Sequence, residues 1–352
     1  MSDLIGKQNN TIYFIRANKT KFGGAEVYLS RLSKALENQN INHQVKNSIF
    51  PKFLPSWLRA ILFNFQVCLV KRGKFYFSLD RITCPDIYRA GDGVHKVFLK
   101  IEKKSKFNPL HPVYLFLEKR CFTNAKKIIA ISNMVKKDIV DSYKVDKSKI
   151  NVVYNGIELK NYNYSSSFDA LSKEFCIKHN QKILLYVGSG FKRKGVEEFL
   201  QIISRLESDN IQAFVIGKDK DIDYYQQLAI KLNINNKVVF TGPRDDVDDF
   251  YTISDVFLFP THYEPFGNVI LEAMNFKNAV FTTKQCGGGE ILNGKFIMSN
   301  PTDLSVVQKI DDLLSDRQEL LKIQENNRTR SKKFSIENNL SETLKVIDEV
   351  VN

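Results

Sequence analysis

Two glutamates, Glu264 and Glu272, stand eight positions apart, where a predicted strand ends and a predicted helix begins. Residues 260–274 read PTHYEPFGNVILEAM: an apolar strand ends, a loop carries Glu264, and a helix that begins at Gly267 carries Glu272. A helix amino terminus offers unpaired N–H groups and partial positive charge, which favour phosphate. A carboxylate close to phosphate must bind neutral hydroxyls, such as those of a ribose and a sugar. Either glutamate alone could be an ordinary surface or helix residue, but the whole strand–loop–helix segment favours a binding site for a nucleotide sugar.

A second segment, residues 186–195 (YVGSGFKRKG), joins a strand to a helix and ends in two adjacent cations, Arg193 and Lys194. It is not a dinucleotide fingerprint, which would need Gly at position 193, and it lacks the G-K-[ST] of a P-loop. Flexible glycines beside two cations suit a diphosphate leaving group, and a solvated charged turn is the alternative. In a third segment, residues 22–26 (FGGAE), Gly23 and Gly24 allow a ligand to approach the backbone closely, or simply form a tight turn.

These segments lie between strands and helices that alternate along the chain. Strands are predicted at 11–16, 43–48, 75–79, 127–131, 149–154, 182–187, 212–216, 238–241, 256–259 and 279–282, and helices at 25–38, 134–143, 196–208, 223–232, 246–254 and 267–276. Such alternation is typical of an α/β fold with parallel, doubly wound sheets. The length of 352 residues suggests two domains, and the polar residues 161–169 are predicted to link them.

We therefore expect two Rossmann-like domains, residues 1–160 and 161–334, that face a central cleft, because ligands of doubly wound sheets bind at the carboxyl ends of the strands. Residues 335–352 are expected to form a helix that could cross back to the first domain.

Composition narrows the class of protein. A chain that is 43% hydrophobic and 26% charged is neither disordered nor a disulfide-dense scaffold. Its five cysteines stand far apart without a C-x-x-C pair, so we expect free thiols in a reducing compartment. The first ten residues hold no apolar core, which argues against a signal peptide, and the apolar residues 53–70 are too interrupted to span a bilayer. The expected location is cytoplasmic, either in solution or at a membrane surface.

The net charge of +13 is unevenly distributed. Residues 1–160 hold 29 basic and 12 acidic residues, and the remainder holds 23 basic and 27 acidic residues. The first part is therefore expected to face an anionic partner. Its most basic segment, residues 96–127, interleaves cations with aromatic residues, which suits a peripheral membrane surface. A solvated face over buried aromatic residues is the alternative, and no nucleic-acid-binding motif occurs.

No metal site is predicted. The sequence spells D-x-D twice, at Asp221 and Asp223 and again at Asp246 and Asp248. Each pair opens a predicted helix, where acidic residues favour the helix dipole, so we expect these residues to cap their helices. The five histidines show no H-x3-H spacing, which argues against zinc.

Taken together, the three segments resemble the family 4 glycosyltransferases, retaining enzymes with the two-domain GT-B fold. The E-x7-E motif of that family stands here as Glu264 and Glu272, its glycine turn as Gly23 and Gly24, and its Arg-Lys pair as Arg193 and Lys194. Four further segments resemble the glucosyltransferases of the lipopolysaccharide core: YRAGDGVH (88–95), NPLHPVYLFLEKRCF (108–122), VVYNGIE (152–158) and GSGFKRKG (188–195).

The resemblance implies a role for each matching residue. Glu272 would hold the ribose hydroxyls of the donor and Glu264 the hydroxyls of its sugar. Arg193 and Lys194 would stabilise the leaving diphosphate, and Asp92 or His95 would lie beside the donor sugar, near the acceptor. The resemblance implies that the backbone amides of four residues contact the sugar and diphosphate of the donor: Phe266, Gly267, Asn268 and Val269. Gly23 and Gly24 would allow the backbone to meet the phosphates closely, and Arg244 would lie near the base.

The resulting hypothesis is a retaining, metal-independent transferase without a cofactor. It would move glucose from UDP-glucose onto a heptose of the lipopolysaccharide inner core at the anionic inner face of the membrane. Three alternatives stay open. The donor or the lipid-linked acceptor could differ, the chain could be a nucleotide-sugar epimerase on the same fold, or it could be a basic membrane- or nucleic-acid-binding protein on a degenerate fold.

Overall fold

The computed structural model describes residues 11–19, 24–102 and 107–351. The chain divides into two compact units. Unit 1 comprises the residues up to 156 together with those from 336 onward, and unit 2 comprises residues 157–335. Each unit is built around one six-stranded sheet whose strands all pair in parallel. The predicted α/β fold with two parallel sheets is confirmed.

The strands agree closely with the apolar runs of the sequence. They are β1 (Ile12–Ile15), β2 (His43–Lys46), β3 (Phe75–Ser78), β4 (Ile87–Ala90), β5 (Lys127–Ala130), β6 (Ile150–Val152), β7 (Lys182–Val187), β8 (Ile211–Ile216), β9 (Val238–Gly242), β10 (Val256–Phe259), β11 (Ala279–Thr283) and β12 (Ile297–Met298). In unit 1 the order is β2-β1-β3-β4-β5-β6, and in unit 2 it is β12-β11-β10-β7-β8-β9.

Helices connect most successive strands. They are α1 (Gly24–Asn38), α2 (Ser56–Leu69), α3 (His95–Ile101), α4 (Leu110–Asn124), α5 (Asn133–Tyr143), α6 (Tyr164–Phe175), α7 (Phe191–Lys194), α8 (Val196–Ile203), α9 (Ile222–Lys231), α10 (Val247–Ile253), α11 (Asn268–Asn275), α12 (Val306–Ser315), α13 (Arg317–Ser331) and α14 (Ile336–Val351). Short 3₁₀ turns occupy Lys147–Lys149, Gly287–Ile291, Gly294–Phe296 and Lys332–Phe334.

The last helix of the chain belongs to the core of unit 1. Leu340, Val346 and Ile347 of α14 are buried in one apolar cluster with Phe14 of β1 and Leu32 of α1. Leu340 and Ile347 lie seven positions apart and therefore share one face of the helix, and Val346 borders that face, because α-helical residues repeat every 3.6 positions. Burial of that face fixes the carboxyl-terminal residues to the first sheet.

The predicted linker at residues 161–169 is wrong in part, because α6 begins at Tyr164. Asn163 caps this helix through its side-chain oxygen, which accepts a hydrogen bond from the backbone N–H of Ser166. Phe168 and Leu171 then lie one turn apart and are buried. The serine run concealed a helix whose apolar residues face unit 2.

The expectation that all thiols stay free is also wrong. Cys68, at the end of α2, forms a disulfide with Cys84, which precedes β4. The two segments are already held together, because the side-chain oxygen of Asn64 accepts a 2.7 Å hydrogen bond from the backbone N–H of Thr83. Among the described residues the free thiols are Cys121 and Cys286, which are buried, and Cys176, which is exposed.

Candidate functional site

The order of strands in unit 2 marks where a ligand can bind. From β7 the chain runs outward to β8 and β9 and then returns to β10, on the other side of β7. The loops that follow β7 and β10 therefore leave the same edge of the sheet in opposite directions and open a crevice, the usual ligand site of such sheets. These loops are residues 188–190, which lead into α7, and residues 260–267.

Three charged side chains of the predicted site meet there. Arg193 Nη1 donates a 3.1 Å hydrogen bond to Glu264 Oε2, and Lys194 Nζ lies 3.5 Å from the same oxygen. Arg193 Nη1 also donates to the backbone oxygen of Tyr263, at 2.5 Å. All three side chains are largely buried, with 26%, 18% and 16% of their surface exposed. Because two cations share one carboxylate, the cluster retains an excess positive charge that suits a diphosphate.

The loop that carries Glu264 is held by a glycine-rich segment. Glu264 N–H donates to the oxygen of Gln285, and Gly287 N–H donates to the oxygen of Glu264, both at 2.9 Å. Gly288 N–H donates to the oxygen of Phe266 at 2.7 Å, and a Cβ at position 288 would lie only 2.5 Å from that oxygen. A side chain at position 288 would therefore displace the loop.

The thiol of Cys286 supports the same loop. Its Sγ donates to the oxygen of Phe266, at 3.2 Å. Burial and the nearby carboxylate of Glu264 raise the pKa of Cys286 to about 12, so the thiol keeps the proton that it donates.

Glu272 lies on α11, one turn after Asn268, as expected from their spacing. The helix begins after Gly267, whose φ of +82° is a left-handed conformation that favours glycine. Tyr251 Oη donates to Glu272 Oε2 at 3.4 Å. Phe266 is buried, whereas Gly267, Asn268 and Val269 are half-buried at the amino terminus of the helix. The residues predicted to bind the donor in this segment are thus adjacent in space.

Gly195 ends α7 and provides a sharp test of the crevice. Gly190 and Gly195 both have a φ of +80°, but a Cβ at 190 would meet nothing within 4 Å, whereas one at 195 would lie 1.9 Å from the oxygen of Pro260. Strain alone should make Gly190→Ala less stable by about 1–2 kcal/mol. Strain and the clash together should cost Gly195→Ala about 3–5 kcal/mol. Urea unfolding of both variants measures the difference, and equal losses would contradict the close approach of these two loops.

Arg244 is committed to two carboxylates of unit 2. It donates to both oxygens of Glu174, at 2.6 and 2.9 Å, and to both oxygens of Asp246, at 2.8 and 2.7 Å. These hydrogen bonds join the end of α6 to the start of α10. A role at the nucleotide base stays a prediction.

The two D-x-D sequences do stand at helix amino termini, with Asp221 and Asp246 directly before α9 and α10 and the second Asp of each pair in the first turn, but the expected side-chain capping is absent. Neither Asp221 nor Asp246 caps its helix through its side chain. Asp246 binds Arg244 instead, and Asp248 binds Lys160 at 2.5 Å. Nowhere in residues 11–19, 24–102 and 107–351 do three or more His, Cys, Asp or Glu side chains gather as a metal site would require.

In unit 1, Asp92 and His95 follow β4 but have different surroundings. Half of the Asp92 side chain is exposed, and its carboxylate lies 3.8 Å from Arg81 Nη1. His95 is buried at the start of α3, and its Nε2 lies 3.2 Å from Nδ1 of His111. Asp92 is therefore accessible to a ligand, whereas His95 is largely buried. Gly24 begins α1, and Gly23 lies outside the described residues.

A buried carboxylate that sequence reasoning missed holds this loop. Glu118 of α4 is fully buried and accepts hydrogen bonds from Arg81 Nε (2.9 Å), Tyr143 Oη (2.7 Å) and the backbone N–H of His95 (2.7 Å). Its spacing from the buried Cys121 and Phe122 is the signal that could have revealed it, because three and four positions later is the same face of a helix. Glu118 positions the residues that follow β4.

Arg16 forms a second network at the ends of β1 and β3. It donates to Asp80 Oδ1 at 2.9 Å and to Glu26 Oε1 at 2.8 Å. Burial alone would lower the pKa of Arg16, but the carboxylates around it raise the pKa above its ordinary value. The carboxyl edge of the first sheet therefore also carries fixed charges, none of which sequence reasoning identified.

Burial lowers the pKa of His95 to about 4, helped by the positive charge of Arg81 and by His111, while Glu118 acts in the opposite direction. The unfolded chain, with an ordinary histidine pKa, therefore binds more protons than the folded chain between pH 6.5 and 4. The free energy of unfolding that depends on a neutral His95 should therefore be highest above pH 6.5 and should decrease as the pH falls from 6.5 to 4. His95→Gln should flatten the pH dependence of the unfolding free energy, measured in urea at pH 7, 5.5 and 4.5. The prediction would be contradicted if the unfolding free energy of His95→Gln depended on pH as steeply as that of the control variant His43→Gln.

The described residues of the basic segment 96–127 include most of α3 and all of α4. Phe107 and Phe116 are exposed, at 96% and 57%, whereas Leu117 and Phe122 are buried. Lys103, Lys104 and Lys106 lie outside the described residues. In the part of the chain that the structure describes, no helix has both the length and the apolar character needed to cross a membrane.

Comparison with known proteins agrees with this geometry. The sequence model of "Glycosyl transferases group 1" matches residues 167–330, and that of "Glycosyltransferase Family 4" matches residues 46–161. The lipopolysaccharide glucosyltransferase WaaG of Escherichia coli K12 is 29% identical over 213 residues, which are 57% of this chain and 56% of WaaG. The capsular polysaccharide biosynthesis glycosyltransferase CapM of Staphylococcus aureus is 31% identical over 236 residues, which are 63% of this chain and 61% of CapM.

The chain thus spans less than two thirds of the length of either relative in these alignments. In three dimensions, the crystal structure of WaaG, described as a glycosyltransferase involved in lipopolysaccharide biosynthesis, superposes with a TM-score of 0.77 at 20% identity and covers 96% of this chain and 99% of WaaG. From the two family models and the two parallel sheets together, this chain belongs to the family 4 glycosyltransferases and has the GT-B fold.

Proposed function

We propose that this protein is a retaining glycosyltransferase that moves glucose from UDP-glucose onto a heptose of the lipopolysaccharide inner core. The observation that carries the proposal is the cluster of Arg193, Lys194 and Glu264 beside the amino terminus of α11. It combines fixed cations for a diphosphate with a carboxylate that can also accept sugar hydroxyls.

The proposed chemistry needs only these groups. As the bond between the sugar and the diphosphate breaks, negative charge grows on the leaving phosphate, where Arg193 and Lys194 stabilise it. Retention without a protein nucleophile is explained by attack from the face that the diphosphate leaves, with a phosphate oxygen taking the proton of the acceptor hydroxyl. Glu272 would hold the ribose. No metal ion and no cofactor is required in this scheme.

The choice of glucose and of the lipopolysaccharide core is supported by the similarity to WaaG over 57% of the chain. The similarity to CapM supports a second candidate, a transferase of the same family that acts on a different glycan with a different donor. A nucleotide-sugar epimerase would also bind the donor but would ignore a glycan acceptor.

Donor binding tests the proposal directly. Isothermal titration of the full chain with UDP-glucose, UDP-galactose and UDP-N-acetylglucosamine should show the tightest binding for UDP-glucose, with and without EDTA. Glu272→Gln should weaken binding of every donor, because the ribose is common to all of them, whereas Glu207→Gln, an exposed residue of unit 2, should bind like the wild type. Absence of binding by any nucleotide sugar would overturn the proposal.

The acceptor is expected to be anchored in a membrane, and we propose that the basic segment 96–127 binds its anionic surface. Each basic residue near such a surface contributes about 1 kcal/mol, so replacing Lys100, Lys103, Lys104 and Lys106 with Gln should lower binding to anionic vesicles by about 10²–10³-fold. The same number of replacements at exposed lysines of unit 2, namely Lys173, Lys178, Lys220 and Lys322, should have little effect. Vesicle sedimentation at low and high salt measures both, and equal losses in the two variants would assign the effect to net charge alone.

A further inference from the structure

A cavity of about 430 Å³ lies at the amino edge of the first sheet. Thr11, Lys74, Asp86 and Lys126, which line it, immediately precede β1, β3, β4 and β5. Because all strands of this sheet are parallel, their amino ends share one edge, and Asp80 and Asp92, which follow β3 and β4, belong to the opposite edge. The cavity is therefore separate from the candidate active site.

The charge of the cavity is strongly positive. Its lining contains four cations, Lys71, Arg72, Lys74 and Lys126, and one carboxylate, that of Asp86. Asp86 Oδ2 accepts from Lys71 Nζ at 2.5 Å, and Asp86 Oδ1 lies 3.7 Å from Lys126 Nζ. One carboxylate cannot neutralise four cations, so a net charge of about +3 remains around the cavity, which an anion would offset.

Asp86 is buried and held by hydrogen bonds, so the position of its carboxylate in the cavity is fixed. It is 8% exposed, and Oδ2 also accepts a 2.9 Å hydrogen bond from the backbone N–H of Tyr76. By contrast, 62% of the Lys126 side chain is exposed, and Arg72 stands exposed on the turn that Gly73 closes with a φ of +69°. The floor of the cavity is thus rigid, and its outer cations are placed to contact a ligand that enters from solvent.

Apolar residues flank the same cations. Leu69 and Val70, which directly precede Lys71, are 80% and 53% exposed, and Phe65, one turn earlier on α2, is 58% exposed. A cationic cavity whose Lys71 directly follows exposed apolar residues at the end of α2 fits a lipid headgroup whose acyl chains lie beside α2.

We infer that this cavity binds a phosphate group, that of an anionic lipid headgroup or of a small phosphate ester in solution. The inference does not depend on glycosyl transfer, because none of its residues belongs to the proposed donor site. Arg72 and Lys126 contact the phosphate, Lys74 adds charge at the rim, and Asp86 keeps Lys71 oriented. Bound lipid would hold unit 1 at the membrane through a contact that joins Lys126, at the end of segment 96–127, with Arg72 and Lys74, which lie outside that segment.

The test compares Arg72→Gln/Lys126→Gln with Lys144→Gln/Lys147→Gln, which removes the same charge from exposed positions elsewhere in unit 1. Both pairs are made in the full chain. The first arm measures binding to phosphatidylglycerol vesicles, with phosphatidylcholine vesicles as the reference. The second arm titrates pyrophosphate into both pairs in an Arg193→Ala/Lys194→Ala background, so that the proposed donor site contributes little.

A basic residue near an anionic surface changes partitioning by about fivefold, so the cavity variant should lose about 30-fold in vesicle binding while the control pair loses less than threefold. Loss confined to vesicles assigns the site to a lipid headgroup, and loss confined to pyrophosphate assigns it to a phosphate in solution. If the cavity variant and the control pair bind alike in both arms, the inference is overturned. Unchanged donor affinity of the cavity variant in the otherwise wild-type chain separates this outcome from failure of the proposed function.

Discussion

Replacing Arg193 or Lys194 with Ala is expected to lower kcat by about 10²–10³-fold, because each loses a preformed donor to the charge that grows on the leaving phosphate. Donor affinity should change less than kcat, since an interaction that strengthens in the transition state affects the chemical step most. Steady-state kinetics with UDP-glucose and a truncated core acceptor measure the rate, and donor titration measures the affinity.

Lys192→Ala is the matched control for this pair. Lys192 lies on the same short helix, α7, but is exposed. Its replacement with Ala removes the same charge from the same turn. Its kcat should stay within a few-fold of the wild type. Near-normal turnover in both Arg193→Ala and Lys194→Ala, or an equal loss in all three variants, would remove the diphosphate role from this pair.

Replacing Glu118 with Ala is expected to destabilise unit 1 by about 3–5 kcal/mol, because it leaves the buried charge of Arg81 with only the half-exposed carboxylate of Asp92, at 3.8 Å, beside it. The backbone N–H of His95 would also lose its acceptor. Glu118→Gln keeps the shape and one acceptor oxygen, so its loss should be smaller. Urea unfolding measures both variants beside Glu37→Ala, an exposed position of α1 where we expect little change.

Glu118 is a positioning residue, so its effect on activity should have a particular form. If it holds the loop that carries Asp92, Glu118→Gln should lower kcat while donor affinity in unit 2 stays unchanged, at a temperature where the variant is folded. Ala and Gln variants as stable as Glu37→Ala would contradict the buried network.

The strands were predictable because they are short apolar runs between polar turns. The run KILLYV was predicted at residues 182–187, and β7 occupies Lys182–Val187. A parallel sheet covered by helices buries both faces of its strands, so continuous apolar sequence identifies them well. The same reasoning located the loops that follow β7 and β10, at the crevice where Arg193, Lys194 and Glu264 meet.

Local sequence could not predict those elements whose polar residues bind partners far away along the chain. Strand β4 was missed because Arg89 interrupts its apolar pattern. In the fold, Arg89 Nη2 donates to Asn155 Oδ1 at 2.6 Å, and its guanidinium lies 3.6 Å from the ring centre of Tyr28. These two partners of Arg89 lie 66 and 61 positions away along the chain, so the pattern of neighbouring residues cannot identify them. The disulfide between Cys68 and Cys84 and the Glu118 network were missed for the same reason.

A transfer assay measures directly whether this chain moves a sugar from a donor to an acceptor. The full chain is incubated, in the presence of EDTA, with a panel of radiolabelled nucleotide sugars and truncated core acceptors, and the linkage of the product is determined by NMR. We expect transfer of glucose from UDP-glucose to a heptose with the α-configuration retained, and loss of transfer in the Arg193→Ala/Lys194→Ala variant. Absence of transfer from every donor to every acceptor, or a product with inverted configuration, would show that the proposed function is wrong.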